Sequence, residues 1–309
     1  MNEPILHHYA ISPFSEKVRL VFGAKRIAWR SVQVPMLMPK PDVIALTGGY
    51  RRTPILQIGA DVYCDTALIC RLLDRMHPAP PLYPSEIAGT AQMLAQWADR
   101  TLFWAAVPYT MQPKGVAIVF DGVPPETLKA FAADRAAFAP RERRVPVADA
   151  TVALHSYLGW LEGHLADDRG FLVRGQLSIA DFSVAHCLWA VHLAPPLAAI
   201  YGAYPKVSAW LARVRAFGHG ERRETTSADA LGVAAGARSH APVEVESGLG
   251  FEAGAAVSVA AVDYGTDPVA GRLVGLTRDQ ATIERRDERA GTLHVHFPRL
   301  GFQIRRADA

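Results

Sequence analysis

Cysteine is scarce in this sequence. Cys64, Cys70 and Cys187 are the three in 309 residues, an odd number without paired spacing. That pattern excludes a disulfide framework and fits a reducing compartment. No CxxC and no Cys/His cluster has the spacing of a zinc site. Long apolar runs are missing too: a membrane-crossing helix takes about 20 apolar residues, and no such stretch is present. The start, MNEPILHHYAISPF, lacks a charged segment followed by an apolar one, so no signal peptide is expected. Nor is charge of one sign concentrated: 33 Lys and Arg stand against 30 Asp and Glu, a formal net charge of +3. The basic spots at Arg141–Arg144, Arg222–Arg223 and Arg285–Arg286 are short and fit solvated faces. A nucleic-acid binder, with its clustered basic patch, is therefore not expected. The expectation is a soluble, cytoplasmic chain.

What is there changes character twice along the chain. Half of the residues are hydrophobic, and the length exceeds the roughly 100–200 residues of one domain, so two or three domains are expected. ILHHYA (Ile5–Ala10) reads as a strand, SPFSEKVRLVFGAKR (Ser12–Arg26) as a helix and WRSVQV (Trp29–Val34) as a second strand. Strand, helix, strand implies parallel pairing with a right-handed crossover. A short helix near Asp42–Leu46, a hairpin over Thr53–Asp65 and a helix over Asp65–His77 complete a βαβαββα order. PAPPLYPSE then connects to a region without strand signals. Helical patterns run over Glu86–Val107, Pro124–Phe138, Pro146–Ala166, Ser178–Leu193 and Tyr204–Phe217. Thr225–Ala241 is small and polar and reads as a linker. Beyond it, short strands from VEVES onward, separated by Gly and Asp, suggest a small barrel. Three domains are expected, over residues 1–80, 84–222 and 242–309. His294 and His296 alternate along one predicted strand and share a face. No further ligand is evident, so no metal site is expected there.

The chemistry concentrates in the first domain. Ser12-Pro13 lies between the first strand and the first helix. Serine is a preferred N-cap and proline fits the first helical position, so the pair starts a helix whatever else it does. A hydroxyl at a helix N-terminus is also placed to donate to a bound thiolate. Tyr9 lies at the end of the preceding strand. Downstream, RRTPILQIGADVYCDTALI (Arg51–Ile69) brings a Thr-Pro before a strand and an Asp-Thr at a helix start.

With these pieces in register, residues 4–220 resemble the glutathione transferase family. The match is to the serine-type, tau-like or zeta-like form, with an extra C-terminal β-rich region. The resemblance implies a multi-domain fold: a thioredoxin-like α/β domain, an all-α second domain and here a small β-barrel-like third. It implies glutathione as co-substrate, with Ser12 stabilising its thiolate and Tyr9 as a rival donor, since other classes use a tyrosine near the end of this strand. It places Pro54 in cis and the Thr53 backbone beside the cysteinyl unit of glutathione. Asp65 and Thr66 stand where the family more often has Glu-Ser, and would take the γ-glutamyl end. Lys40 and Arg51 or Arg52 would pair with the glycyl carboxylate. Trp104 and Tyr109, among other aromatics, would line an apolar pocket for the second substrate. SIAD (Ser178–Asp181) resembles the family's N-capping motif before a core helix. The absence of cysteine at position 12 argues against omega-type reductase chemistry, and Ile-Ser-Pro departs from the zeta-class Ser-Ser-Cys run. The function implied is conjugation of glutathione to hydrophobic electrophiles by a homodimer. The alternatives are a non-catalytic binding or regulatory protein on the same fold, or a glutathione-dependent isomerase.

Overall fold

A computed structural model describes residues 3–138 and 145–307, so Arg141–Arg144 lies outside the described residues. The first segment follows the predicted order: β1 (Ile5–His8), α1 (Pro13–Ala24), β2 (Ala28–Gln33), α2 (Pro41–Thr47), β3 (Ile55–Ile58), β4 (Asp61–Cys64) and α3 (Thr66–Met76). β1 pairs parallel with β2, as the crossover requires, and antiparallel with β3, which forms a hairpin with β4. Side chains alternate across a strand, and here each face meets a different core. Leu6, Leu56 and Tyr63 join α1 and α3 on one side. Ile5, Ile55 and Val62 join a second cluster on the other.

The helical part packs on the first face. It consists of α4 (Ala88–Trp97), α5 (Phe103–Thr110), α6 (Pro113–Val119), α7 (Pro125–Phe138), α8 (Val147–His164), α9 (Ile179–His192) and α10 (Pro205–Arg215). The helix expected over Glu86–Val107 is interrupted by a π-helical turn, Ala98–Leu102, which joins α4 to α5. Asp99 in that turn pairs with Lys17 of α1 at 2.7 Å and with His186 of α9 at 2.9 Å. SIAD caps α9 as expected: Ser178 and Asp181 form a reciprocal capping box.

The last third differs from expectation in two ways. The stretch read as a linker contains a helix, α11 (Ser227–Ala235), opened by a Thr226–Asp229 capping box. Its apolar residues are mostly alanine, a weak signal in sequence, yet Ala230, Leu231 and Ala234 are buried in the second cluster. Before it, β5 (Glu221–Glu224) adds a parallel strand beside β2. The β-rich region contains β6 (Ala256–Ala261), β7 (Val269–Leu276), β8 (Gln280–Asp287), β9 (Gly291–Pro298) and β10 (Phe302–Arg306). VEVES contributes only an isolated bridge, Val245 to Leu276. β6 to β9 form an antiparallel meander, and β10 returns to pair with β6. A short turn joins β9 to β10, so the meander curls round on itself. β9 also pairs parallel with β4, making one ten-stranded sheet that runs from β10 through β9 and β4 to β5. The sheet therefore crosses the boundary expected near residue 242.

Candidate active site

The residues before α1 are held by charge. Ser12 caps α1 with extended φ and ψ, and its Oγ accepts the Ser15 N–H at 3.2 Å. That bond uses a lone pair and leaves the hydroxyl proton to donate elsewhere. The Ser12 N–H donates to the Tyr9 carbonyl at 3.2 Å. Arg19, one turn into α1, reaches back and donates to the Ala10 carbonyl at 2.9 Å. The same guanidinium pairs with Glu16 at 2.7 Å, and Glu16 accepts from His219 at 3.0 Å. His8 accepts from Arg19 at Nδ1, 3.0 Å away. Both basic residues of SEKVRL are thus buried, Arg19 fixing the Ser12 loop and Lys17 pairing with Asp99.

Ser12 lies at the floor of a cleft of about 420 Å³. Its polar end is lined by Tyr9, Ser12, Lys40, Arg51 and Thr53. Its apolar wall comes from Phe14, Phe103, Trp104, Met111, Phe120 and Phe131. Lys40 is buried and donates to Thr53 Oγ1 at 3.1 Å. Burial, with Arg135 adding to it, pushes the Lys40 ammonium down to about 8. Burial also raises the Tyr9 phenol, against the pull of Arg135 and of a hydrogen bond with Ser12. Ser12 and Tyr9 thus face the same space, and the hydrogen bond between them leaves one hydroxyl proton for a ligand there. The Thr53–Pro54 peptide is cis, as expected.

Other expected site residues are placed differently. Asp65 caps α3 by accepting the Ala67 N–H at 2.9 Å, and neither it nor Thr66 lines the cleft. Arg52, which does line it, lies 3.7 Å from the Asp65 carboxylate. The Arg52 guanidinium is held by Asp263 and the Tyr264 carbonyl, and the Tyr264 ring packs 3.9 Å from its central carbon. Arg52 therefore ties the first domain to the loop after β6. Arg51 pairs with Asp134 of α7 at 2.6 Å. Trp104 lines the cleft, but Tyr109 does not: its hydroxyl donates to the Leu197 carbonyl at 3.2 Å. At 100° per residue, Trp104, Val107, Pro108 and Met111 share a face, while Tyr109 is turned about 140° from Trp104. Arg135 and Tyr264 were not singled out in the sequence, yet both line the cleft. Arg135 lies in a helix with little one-sided patterning, and Tyr264 lies 212 residues beyond Arg52 in another region, so neither carries a local signal. His294 and His296 do share a face, and Asp61 of β4 lies against it.

Residues 6–81 match the family described as glutathione S-transferase, N-terminal domain, and residues 129–213 match glutathione S-transferase, C-terminal domain. A GST-like protein from Pseudomonas syringae, solved by crystallography, is 42% identical with a TM-score of 0.83, covering 99% of this chain and 100% of its own. The β-rich region is therefore shared with that protein. A glutathione S-transferase from Methylobacillus flagellatus, solved with glutathione bound, is 22% identical with a TM-score of 0.50. It covers 69% of this chain and 93% of its own, and shows the fold alone. FtsZ-localized protein A from Caulobacter vibrioides is 28% identical over 189 residues, 59% of this chain and 75% of the relative. Pyrimidodiazepine synthase from Drosophila melanogaster is 33% identical over 85 residues, 26% of this chain and 35% of the relative. The thioredoxin-like sheet, the capped helix before the cleft and the helical second domain all agree with these matches, and the chain belongs to the glutathione transferase family.

Proposed function

We propose that the cleft binds glutathione with its sulfur at Ser12, and that the protein joins the thiolate to a hydrophobic electrophile. The observation that carries this reading is the place of Ser12, a buried hydroxyl at a helix N-terminus where the polar end of one cleft meets its apolar wall. A free thiol has a pKa of about 8.5, so most of it is protonated at neutral pH. A donor and a helix N-terminus favour the anion. The thiol proton goes to solvent, the sulfur lone pair forms a new S–C bond, and the leaving group departs with its electron pair. Thr53 faces the cysteinyl backbone, and cationic Lys40 meets the glycyl carboxylate. Glutathione affinity should therefore weaken as pH rises through about 8, where Lys40 loses its charge. The reading includes a homodimer, which sedimentation of the full chain tests.

Ser12→Ala should lower kcat/KM for an aryl halide on the order of a hundredfold, the scale for losing one preorganised donor to an anion. Glutathione binding by calorimetry should change little. Unchanged turnover would remove Ser12 from the mechanism and leave Tyr9 as the donor to test.

A second reading has its own observation. Asp263 and Tyr264 engage Arg52 beside Asp65, where the γ-glutamyl end was expected. A cleft narrowed there suits a binding or regulatory role, and FtsZ-localized protein A is a relative named for a location rather than a reaction. Retention on glutathione resin without turnover of a broad electrophile panel would favour it over conjugation.

A further inference from the structure

A cluster far from the cleft has the chemistry of a metal site. Asp61 ends the hairpin turn into β4, His294 lies in β9, and His240 lies in the segment after α11. Among the described residues, one ligand atom from each lies within 4.8 Å of the others. Nδ1 of His294 is 3.9 Å from Asp61 Oδ1, and Nδ1 of His240 is 3.9 Å from Asp61 Oδ2. Those spacings are too long for hydrogen bonds. Both Nδ1 atoms are buried without a hydrogen-bond partner among the described residues, and His294 is only 8% exposed. Two imidazole nitrogens left unsatisfied against one carboxylate need an explanation, since buried polar atoms are nearly always paired.

A metal ion supplies one. We propose that Asp61, His240 and His294 bind a divalent transition metal, zinc by preference. Zinc bonds to His nitrogen and carboxylate oxygen at about 2.0–2.2 Å, which sets tetrahedral ligands about 3.3 Å apart. The two His–Asp61 spacings reach that by closing about half an ångström, and the His240 ring, stacked on His294 with centroids 3.8 Å apart, turns out of that stack to bring its lone pair onto the same ion. Two imidazoles and a carboxylate suit zinc rather than calcium or magnesium, which take oxygen ligands. The supporting groups are already in place. His296 Nδ1 faces Gln280 Nε2 at 2.9 Å, which can only donate, so its Nε2–H donates to Asp61 Oδ1 at 2.8 Å. The Ala241 N–H donates to Asp61 Oδ2 at 2.9 Å. These bonds orient the carboxylate, the part that outer-shell groups play at metal centres. Glu284 lies 3.8 Å from His294 Nε2, on the side away from Asp61 Oδ1, where it favours the tautomer with Nδ1 free. Three protein ligands leave a position for water, and His240 gives the site its solvent side. The ligands come from the first domain, the connecting segment and the β-rich region, so the ion clamps the parallel β4–β9 pairing.

The test uses the full chain, stripped with a chelator and dialysed, with zinc sulfate added. One equivalent should bind by calorimetry and raise the melting temperature, with magnesium doing neither. His240→Gln and His294→Gln should each weaken zinc at least tenfold and abolish the rise, while His155→Gln, an exposed histidine elsewhere, should leave both unchanged. His240 is partly exposed in an irregular segment, so its variant keeps the test valid where His294→Gln does not fold. Cobalt in place of zinc should give tetrahedral d–d bands in the wild type and lose them in His240→Gln. No stoichiometric zinc binding by the wild type, or equal binding by both histidine variants, would overturn the proposal.

Discussion

On one face of the first sheet, Leu6, Leu56 and Tyr63 meet the helical part through a single broad apolar core. On the opposite face, Ile5, Ile55 and Val62 meet α11 and the β-rich region through a second core. The polar joints differ in kind. The helical side is pinned by a few groups, such as buried Lys17 with half-buried Asp99, and fully enclosed Asp181 at the start of α9. The β-rich side is stitched by arginines: Arg52 to Asp263 in a buried pair, and nearer the rim Arg285 to the Ala45 carbonyl and Arg289 to Asp42. One sheet thus serves two partners, one joined through its middle and one through its margin. Removing a central pin should unfold the molecule, whereas removing a marginal one should loosen only the β-rich side.

The largest effect is expected at Asp181. Its carboxylate takes the Leu172 N–H and Trp210 Nε1–H at 2.9 Å each and the Ser178 N–H at 3.0 Å, all out of water. Asp181→Ala removes a cap and orphans buried donors, costing about 4 kcal/mol. Urea unfolding followed by far-UV circular dichroism measures it, and a loss below about 1 kcal/mol would contradict the pinned-centre picture. Next comes Arg52→Ala, which leaves buried Asp263 with only Arg100 at 3.5 Å and the Tyr264 N–H at 3.1 Å, at a cost of about 2 kcal/mol. Here hydrogen exchange should rise in residues 256–306 well before it rises in α9. Arg52→Lys should recover only part, because an ammonium lacks the guanidinium fork that serves Asp263 and the Tyr264 carbonyl together.

This contrast explains what the sequence revealed. The first sheet was legible because its strands are apolar and its punctuation is chemical: Ser12-Pro13, Thr53-Pro54 and Asp65 each mark a turn in the chain. SIAD was legible for the same reason. The joints were not. β5 reads ERRE, exposed throughout, and is a strand only because β2 offers it an edge. The β4–β9 ladder pairs just Asp61, Val62 and Tyr63 with His294, Val295 and His296. Nothing local distinguishes that short pairing from an ordinary strand face, so the β-rich region read as separate. In the cleft, Trp104 was found and Tyr109 misplaced because helix phase, not aromatic content, decides which ring faces the ligand. Arg52 was read as a ligand group because its partners, Asp263 and Tyr264, lie more than 200 residues away.

A smaller effect tests the β-rich side by pH. His7 is buried; its Nε2–H donates to Gln57 Oε1 at 2.9 Å, and its Nδ1 has no hydrogen-bond partner among the described residues. Gln57 in turn donates to the Ala230 carbonyl of α11 at 2.8 Å. Burial lowers the His7 pKa from 6.5 to about 4. The unfolded chain therefore binds the proton first, so this histidine's stabilisation is present above pH 6.5 and is lost as pH falls from there towards about 4. Between about pH 7.5 and 5.5 the loss is about 1.4 kcal/mol. His8 is lowered further, to about 3, by burial and the Arg19 charge, and adds to the same slope. His7→Gln should flatten the stability profile over that window, and an unchanged slope would place the acid sensitivity elsewhere.

The smallest effect is expected at Thr226. Its side chain accepts the Asp229 N–H at 3.0 Å, and the hydroxyl donates to the Asp229 carboxylate at 2.6 Å, both exposed to solvent. Thr226→Ala should cost about 1 kcal/mol, the usual scale for an N-cap, with Thr226→Ser nearly neutral. α11 is only nine residues long, too short to hold its shape alone. The loss should therefore appear as faster exchange across α11, and, where the looser helix also relaxes the burial of His7 through Gln57 and the Ala230 carbonyl, as a shallower fall in stability on acidification. If the exchange instead quickens equally in α9, the two faces of the sheet unfold as one unit, and the marginal side is as central to the fold as the helical one.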